Sequence, residues 1–401
     1  MSTGGCPTRY ESGLAQGSRH PRSRTRRLLL TCLLGTGAVY SFQTARGGAG
    51  EYRWSLPKGF PRPRVPSGNP MSAAKARLGR YLFYDKRMSV NGTEACASCH
   101  RQDLAFTNGK ALPLGSTGQA HPRKAMSLVN VAYSAVLTWS NPDLHSLEQQ
   151  ALVPMFSEHP VELGLLGREG SLIDLLRSDA VYRELFPKAF GDSKDPFTMA
   201  NLAKALAVFE RTIISARSPY DRFHFDGERD AISGSAQRGE SLFFSDQFGG
   251  CFRCHGGFNF SDATDYAGSP DAAIRYHNTG LYNMAGKFSY PMPNLGIFEH
   301  TRKPEDVGKF KAPSLRNVEL TAPYMHDGSI ATLEGVLDHY VAGGRTIKDG
   351  PYAGLGHDNP NKDPRITGIG LTPQNRADLL AFLRSLTDTD LLHDARFANP
   401  W

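Results

Sequence analysis

Beyond residue 50 the chain is short of net charge, of cysteine and of long apolar runs. Seven arginines and a single acidic residue lie in residues 1–50, so +6 of the formal +7 sits there and only about +1 is left for the rest. That near-neutrality removes the case for a nucleic-acid partner that the overall basic charge would otherwise suggest. The apolar run over residues 28–42 is broken by Thr31, Thr36, Ser41 and glycines, and it is short for a membrane span. Arg22, Arg24, Arg26 and Arg27 precede it, which is the arrangement of a secretory signal, with an uncleaved anchor as the alternative. Processing is expected between Ala45 and Gly50, so residues 1–45 are read as signal peptide. No stable membrane insertion is expected once it is removed. No low-complexity tract is present, and strand signals are few.

Two of the six cysteines, Cys6 and Cys32, lie in that leader. The other four are confined to two pentads, Cys96-Ala97-Ser98-Cys99-His100 and Cys251-Phe252-Arg253-Cys254-His255. In C-x-x-C-H both thiols can add across the vinyl groups of one haem while the adjacent imidazole ligates its iron. A zinc site built from Cys96, Cys99, Cys251 and Cys254 is the competing reading, and it leaves both following histidines unexplained. Two covalent haem c groups are therefore expected, held by Cys96, Cys99, Cys251 and Cys254, with His100 and His255 on the irons. No cysteine then remains for a disulfide framework, although the leader directs the chain to the periplasm, an oxidising compartment.

The length suits two domains, one per haem. The expected fold is mainly α, two cytochrome c-like domains over residues 46–225 and 226–401, with a boundary near 218–233. A proline-punctuated lead-in over residues 51–70 precedes a helix beginning near Ser72. Its Leu78-Gly79-Arg80-Tyr81-Leu82-Phe83 is echoed by Arg238-Gly239-Glu240-Ser241-Leu242-Phe243, each just upstream of a pentad. The pattern is a weak internal repeat, read as a helix presenting a small face and an aromatic to the haem, or else as ordinary core packing. Helices are expected over residues 171–178, 180–190, 198–216, 330–341 and 373–386, the third from Leu202, Ala205, Leu206, Phe209 and Ile213 at i, i+3/i+4 spacing and its end before Ser218-Pro219. Residues 256–312 read as loop.

These motifs, in order over residues 70–390, resemble the bacterial dihaem cytochrome c peroxidase and MauG superfamily. The resemblance rests on Leu78-Gly79-Arg80, both pentads, Leu128-Val129-Asn130, Trp139, Val161-Glu162-Leu163-Gly164, Phe209-Glu210-Arg211-Thr212, Pro313-Ser314-Leu315-Arg316-Asn317-Val318 and Leu320-Thr321-Ala322-Pro323-Tyr324-Met325-His326-Asp327-Gly328. It implies a peroxide-reacting N-terminal haem and a C-terminal haem that stores or delivers oxidising equivalents. Where the peroxidases place a capping histidine sixteen residues after the first pentad, this chain has Ser116; the nearest histidine is His121, outside the motif. Fourteen residues after His326, where they place a methionine ligand, stands Tyr340, as in MauG, with Met325 and Met284 as alternative ligands. A phenolate oxygen favours higher iron oxidation states, whereas methionine raises the potential. The family's inter-haem calcium would take carbonyls from Thr321 and Pro323, but its asparagine is replaced by Lys124. Calcium is thus allowed without being required.

The resemblance further makes Glu162 the acid–base residue for peroxide, Gln150 a hydrogen-bond donor beside it and Pro154 a wall of the same pocket. The loop over residues 154–162 is about two residues longer than the family norm, so Glu158 competes with Glu162, and His159 lies between them. Trp139 matches a tryptophan between the haems that can relay electrons, or that only packs. The function implied is an exported enzyme of the MauG-like branch, close to its methanobactin-associated subgroup. Such an enzyme uses hydrogen peroxide to form high-valent iron and to oxidise an aromatic side chain of an exported protein at long range. Two alternatives stand beside it: a peroxidase fed by a small redox protein (a cytochrome or cupredoxin), and a non-enzymatic dihaem electron carrier.

Overall fold

The structure, a computed structural model, describes residues 52–270, 274–285 and 288–401. The expected signal segment lies outside the described residues. The described residues are mainly helical, and the strands among them are four two-residue pieces. Tyr276–His277 pairs antiparallel with Phe310–Lys311, and Thr346–Ile347 with Gly354–Leu355. Residues 256–312 are otherwise mostly loop, as their glycine, proline and asparagine content predicts. Among the described residues no helix is long and apolar enough to cross a membrane.

The first long helix, Ala73–Tyr84, starts where Ser72 accepts a hydrogen bond from the Lys75 N–H, and it buries Leu78, Gly79, Leu82 and Phe83. It crosses the Met199–Arg211 helix so closely that a Cβ on Gly79 would lie 2.0 Å from the Ala205 carbonyl oxygen. The echo behaves alike. In the Gly234–Phe243 helix a Cβ on Gly239 would lie 1.9 Å from the Asp378 carbonyl oxygen, on the Pro373–Ser385 helix. The repeat is thus a helix-crossing device, and its small face meets a partner helix rather than a haem.

Two large apolar clusters follow from these crossings. One gathers Leu78, Phe83, Leu206, Phe209 and their neighbours, with Cys96 and Ala97 of the first pentad against it. The other gathers Phe243, Phe260, Tyr290, Leu337 and Phe382, with Cys251 and Phe252 of the second pentad against it. The separation is not strict along the chain: Leu391 and Phe397 join the first cluster, and Trp139 packs on the second. Arg316 and Asp221, both buried, form an ion pair at 2.9 Å, and the Arg316 guanidinium also donates to the Phe258 carbonyl. Removing one partner of such a pair leaves a buried charge and costs about 3–5 kcal/mol.

Two helices are shorter than their periodicity suggests. Glu169–Ser178 and Ala180–Phe190 form as expected, but the helix expected over 198–216 spans Met199–Arg211. Beyond Arg211 the backbone groups are claimed from outside. The Ile213 carbonyl accepts from the Asn130 N–H, and Asp388 Oδ2 accepts from Ser215 Oγ and from the N–H groups of Ala216 and Arg217. Similarly, the helix expected from residue 330 starts at Leu333, because Thr332 caps it and the Tyr324 N–H bonds the Ile330 carbonyl.

Candidate active site

Each pentad presents its histidine in the same way. Cys96–Cys99 is a single helical turn, after which Ala105 and Phe106 adopt left-handed backbone and fold the chain back. That turn brings the Phe106 carbonyl to 3.0 Å from His100 Nδ1. In the second pentad His255 Nδ1 lies 3.0 Å from the Pro313 carbonyl and 3.3 Å from that of Phe260, which is also left-handed. A ring that donates through Nδ1 keeps Nε2 as its acceptor, so each imidazole is fixed in the tautomer that an iron requires. Burial lowers the pKa of both rings, which keeps them neutral.

The four pentad cysteines are free, and they do not gather into the zinc site weighed above. The one group of three potential metal ligands among the described residues is Cys254, Asp262 and His277. His277 is already spent there, bridging Asp262 and Asp363 at 2.8 Å each. Paired thiols beside an oriented imidazole, twice over, fit covalently bound haem.

Beside the first pentad stands Glu162. Burial pushes its pKa up to about 7. Burial and then the Glu162 charge push the Cys99 thiol up to about 11, which places that carboxylate within electrostatic reach of the pentad. The loop carrying Ser116 is laid directly on this segment. The Ser116 N–H donates to the Glu162 carbonyl at 2.7 Å, and a Cβ on Gly115 would lie 1.9 Å from the Val161 carbonyl oxygen. Glu158 and His159 are exposed, on a turn closed by the Glu158–Val161 bridge and by the Leu163 N–H on the Pro154 carbonyl. Glu158 and His159 thus sit out at the loop tip, and Glu162 is the one of the two carboxylates whose charge reaches Cys99. Pro154 lies in the Val153–Phe156 turn, and Gln150 ends the preceding turn, Leu147–Gln150.

Two neighbours of this site escape sequence reasoning. His121 points Nε2 at Glu162, 3.8 Å from Oε1, while its Nδ1 engages the backbone of Arg123. The Arg123 guanidinium in turn holds Glu299 and Asn294, far along the chain. Glu210 is buried with Oε2 unpartnered, and burial pushes its pKa up to about 8. Arg211, next to it in the chain, is ion-paired with Glu148 and offsets that shift only in part, a division the sequence does not show.

The second pentad opens on a large cavity whose wall carries Cys251, Cys254, His255 and Tyr340, together with Trp139 and Met325. Tyr340 comes from the Leu333–Val341 helix; burial, and then the two cysteines, push its phenol well above the ordinary tyrosine range. Met284 is not on this wall; its backbone pairs with Gly354 instead. Trp139 donates from Nε1 to the Lys124 carbonyl at 2.9 Å. Thr321 and Pro323 also line the cavity, but beside them stands Lys124, and no Asp or Glu among the described residues lines it. An ammonium in place of an oxygen donor does not fit a calcium site.

Residues 73–230 match the family model described as di-haem cytochrome c peroxidase. The chain is 34% identical over 367 residues to a cytochrome-c peroxidase, IdrP1, of Denitromonas iodatirespirans, covering 87% of this chain and 91% of that protein. It belongs to the dihaem cytochrome c peroxidase and MauG family. Within that family it is also 32% identical to the methylamine utilization protein MauG of Methylophilus methylotrophus, over 80% of this chain and 85% of the relative. The crystal structure of a MauG-like protein associated with microbial copper homeostasis superposes with a TM-score of 0.85 at 46% identity, covering 87% of this chain and 99% of that one. The dihaem peroxidase and MauG family is one of oxidoreductases, so the chain is an enzyme of that class and haem c is the cofactor its membership implies.

Proposed function

We propose that this member of the family is an exported, periplasmic MauG-type oxidoreductase, which uses hydrogen peroxide to oxidise an aromatic side chain of an exported partner protein. Two cytochrome c-like domains, residues 46–225 and 226–401, would carry one haem each, and the haem irons would supply the electron-transfer chemistry. Peroxide takes up two electrons and two protons to give two waters, and the partner's side chain supplies the electrons. Glu162, near neutrality in pKa, is suited to carry a proton from the inner to the outer peroxide oxygen. Gln150 would donate a hydrogen bond in the same pocket, and Pro154 would form its wall. Ser116, whose N–H is pinned to the Glu162 carbonyl, has no imidazole of its own to cap that face, and the loop's histidine, His121, faces Glu162 instead. Trp139 would carry electrons between the two sites.

The observation that carries the reading is Tyr340 on the same cavity wall as Cys251, Cys254 and His255, where its phenol oxygen would be available to the iron of a haem held there. The likeness to a solved protein associated with microbial copper homeostasis directs the choice of partner to an exported copper-handling protein. The test is to produce the holoenzyme and such a partner together, add peroxide, and look by mass spectrometry for loss of hydrogen or gain of oxygen at one aromatic residue. An unmodified partner, together with rapid peroxide turnover on a reduced small cytochrome or cupredoxin, would favour the peroxidase reading that the IdrP1 likeness supports.

A further inference from the structure

The cavity at the second pentad is lined by cations. Its wall carries five Lys or Arg residues and, among the described residues, no carboxylate. Four of the five have partners: Arg253 pairs with Asp246, Arg316 with Asp221 and Arg365 with Asp363, and Lys311 donates to the Val136 carbonyl. Lys124 is the exception. It is 6% exposed, and no acceptor among the described residues takes a hydrogen bond from its Nζ. Its backbone is held from two sides, the N–H by the His326 carbonyl at 2.8 Å and the carbonyl by Trp139 Nε1. His326, buried on the same wall, leaves its own Nε2 unpartnered. A buried ammonium without a counter-charge is strongly destabilising, and a neutral amine in its place would still be an unsatisfied donor.

The pentad on this wall shows what guest completes the site. A haem bound through Cys251 and Cys254 brings only two anionic groups, its propionate carboxylates, and these are acceptor-only oxygens suited to an ammonium. We propose that the Lys124 ammonium is the counter-ion of a propionate of the haem in this cavity, a positive charge built into the chain itself. Lys124 also bears on the first site, because its charge is felt at His100. One side chain thus places a fixed positive charge between the two haem sites, next to the indole that joins them. The inference rests on covalent haem at Cys251 and Cys254, and it does not depend on what the enzyme oxidises.

The experiment uses the holoprotein with Lys124→Met, Lys124→Gln and Lys124→Arg, each checked for two covalent haems per chain. The reduction potential of the second haem is read by equilibrium redox titration, and its propionate vibrations by resonance Raman. Removing a nearby positive charge favours the ferric form, so Lys124→Met and Lys124→Gln should shift the Fe(III)/Fe(II) equilibrium about tenfold, or ~59 mV downward for a one-electron couple. The propionate bands should move with it, and Lys124→Arg should restore most of both. Unchanged potentials and propionate bands in the two uncharged variants would overturn the proposal. So would one tightly held calcium per wild-type chain whose chelation shifts the same potential, a measurement that needs no variant. Either result would leave the protein-oxidation reading standing, since that fails only if the partner stays unmodified.

Discussion

Nε2 of His121 lies 3.8 Å from Oε1 of Glu162, with His121 anchored through its other ring nitrogen to the backbone of Arg123. Burial holds His121 below the ordinary histidine pKa, so at neutral pH it faces Glu162 as a neutral ring and does not hold the carboxyl down. Glu162 is therefore free to titrate near pH 7. If its carboxylate takes the peroxide proton, the second-order rate with peroxide should rise about tenfold per pH unit below 7 and level off above it. Glu162→Gln should retain both haems, lower the plateau by roughly 10²–10⁴-fold and flatten the profile. Stopped-flow spectroscopy from pH 5 to 9 checks this, and Glu158→Gln serves as the control. A matching loss in the Glu158 variant would move the acid–base role to the loop tip.

The Ser116 loop makes a prediction about the resting enzyme. Ser116 is bonded through its backbone to Glu162 and to Asn91, so it stays against the first site with a hydroxyl where an imidazole would cap, while His121 is directed at Glu162. The as-isolated ferric protein should show one high-spin and one low-spin haem by electron paramagnetic resonance. Ser116→His should convert part of the high-spin signal to low-spin, and two low-spin haems in the wild type would contradict the assignment.

Tyr340 can be separated from its neighbours by substitution. Tyr340→Met should raise the potential of the second haem, because a thioether replaces an anionic oxygen. Tyr340→Phe should leave the position open or hand it to Met325, which shares the cavity wall, rather than to Met284, which does not. Mössbauer spectra of iron-57-labelled protein before and after peroxide report the oxidation level of each iron. The change at the second iron should be present in the wild type and lost in Tyr340→Phe. Identical spectra would reduce Tyr340 to a packing residue.

The two glycine crossings are testable without any peroxide. A methyl group at Gly79 or at Gly239 would sit about 2 Å from a backbone oxygen of the facing helix, where neither side can yield by rotating a side chain. Gly79→Ala and Gly239→Ala should each lose about 1–3 kcal/mol or more of stability, against the usual gain for alanine in a helix. Urea unfolding checks the sign. Stabilisation by either substitution would mean that the helices cross less closely than the structure has them.

The sequence by itself determined the elements whose signals are local. Two C-x-x-C-H pentads need only five consecutive residues to declare haem attachment, and the helix beginning near Ser72 and the one over 180–190 were placed from local sequence, where the structure has Ala73–Tyr84 and Ala180–Phe190. Tyr340 and Ser116 were legible because fixed spacings from a motif carry them. What tertiary structure decided was every outcome set by a distant competitor. The Met199–Arg211 helix stops early because Asn130 and Asp388 claim the next backbone groups, and the glycine repeat faces helices because residues 205 and 378 lie across from it. The contact of His121 with Glu162, the isolation of Glu210, and the lone ammonium of Lys124 are likewise facts about which partners arrive from elsewhere in the chain. Hydrogen-bond and charge satisfaction is settled over the whole fold, and a linear pattern records who is present without recording who is left unpaired.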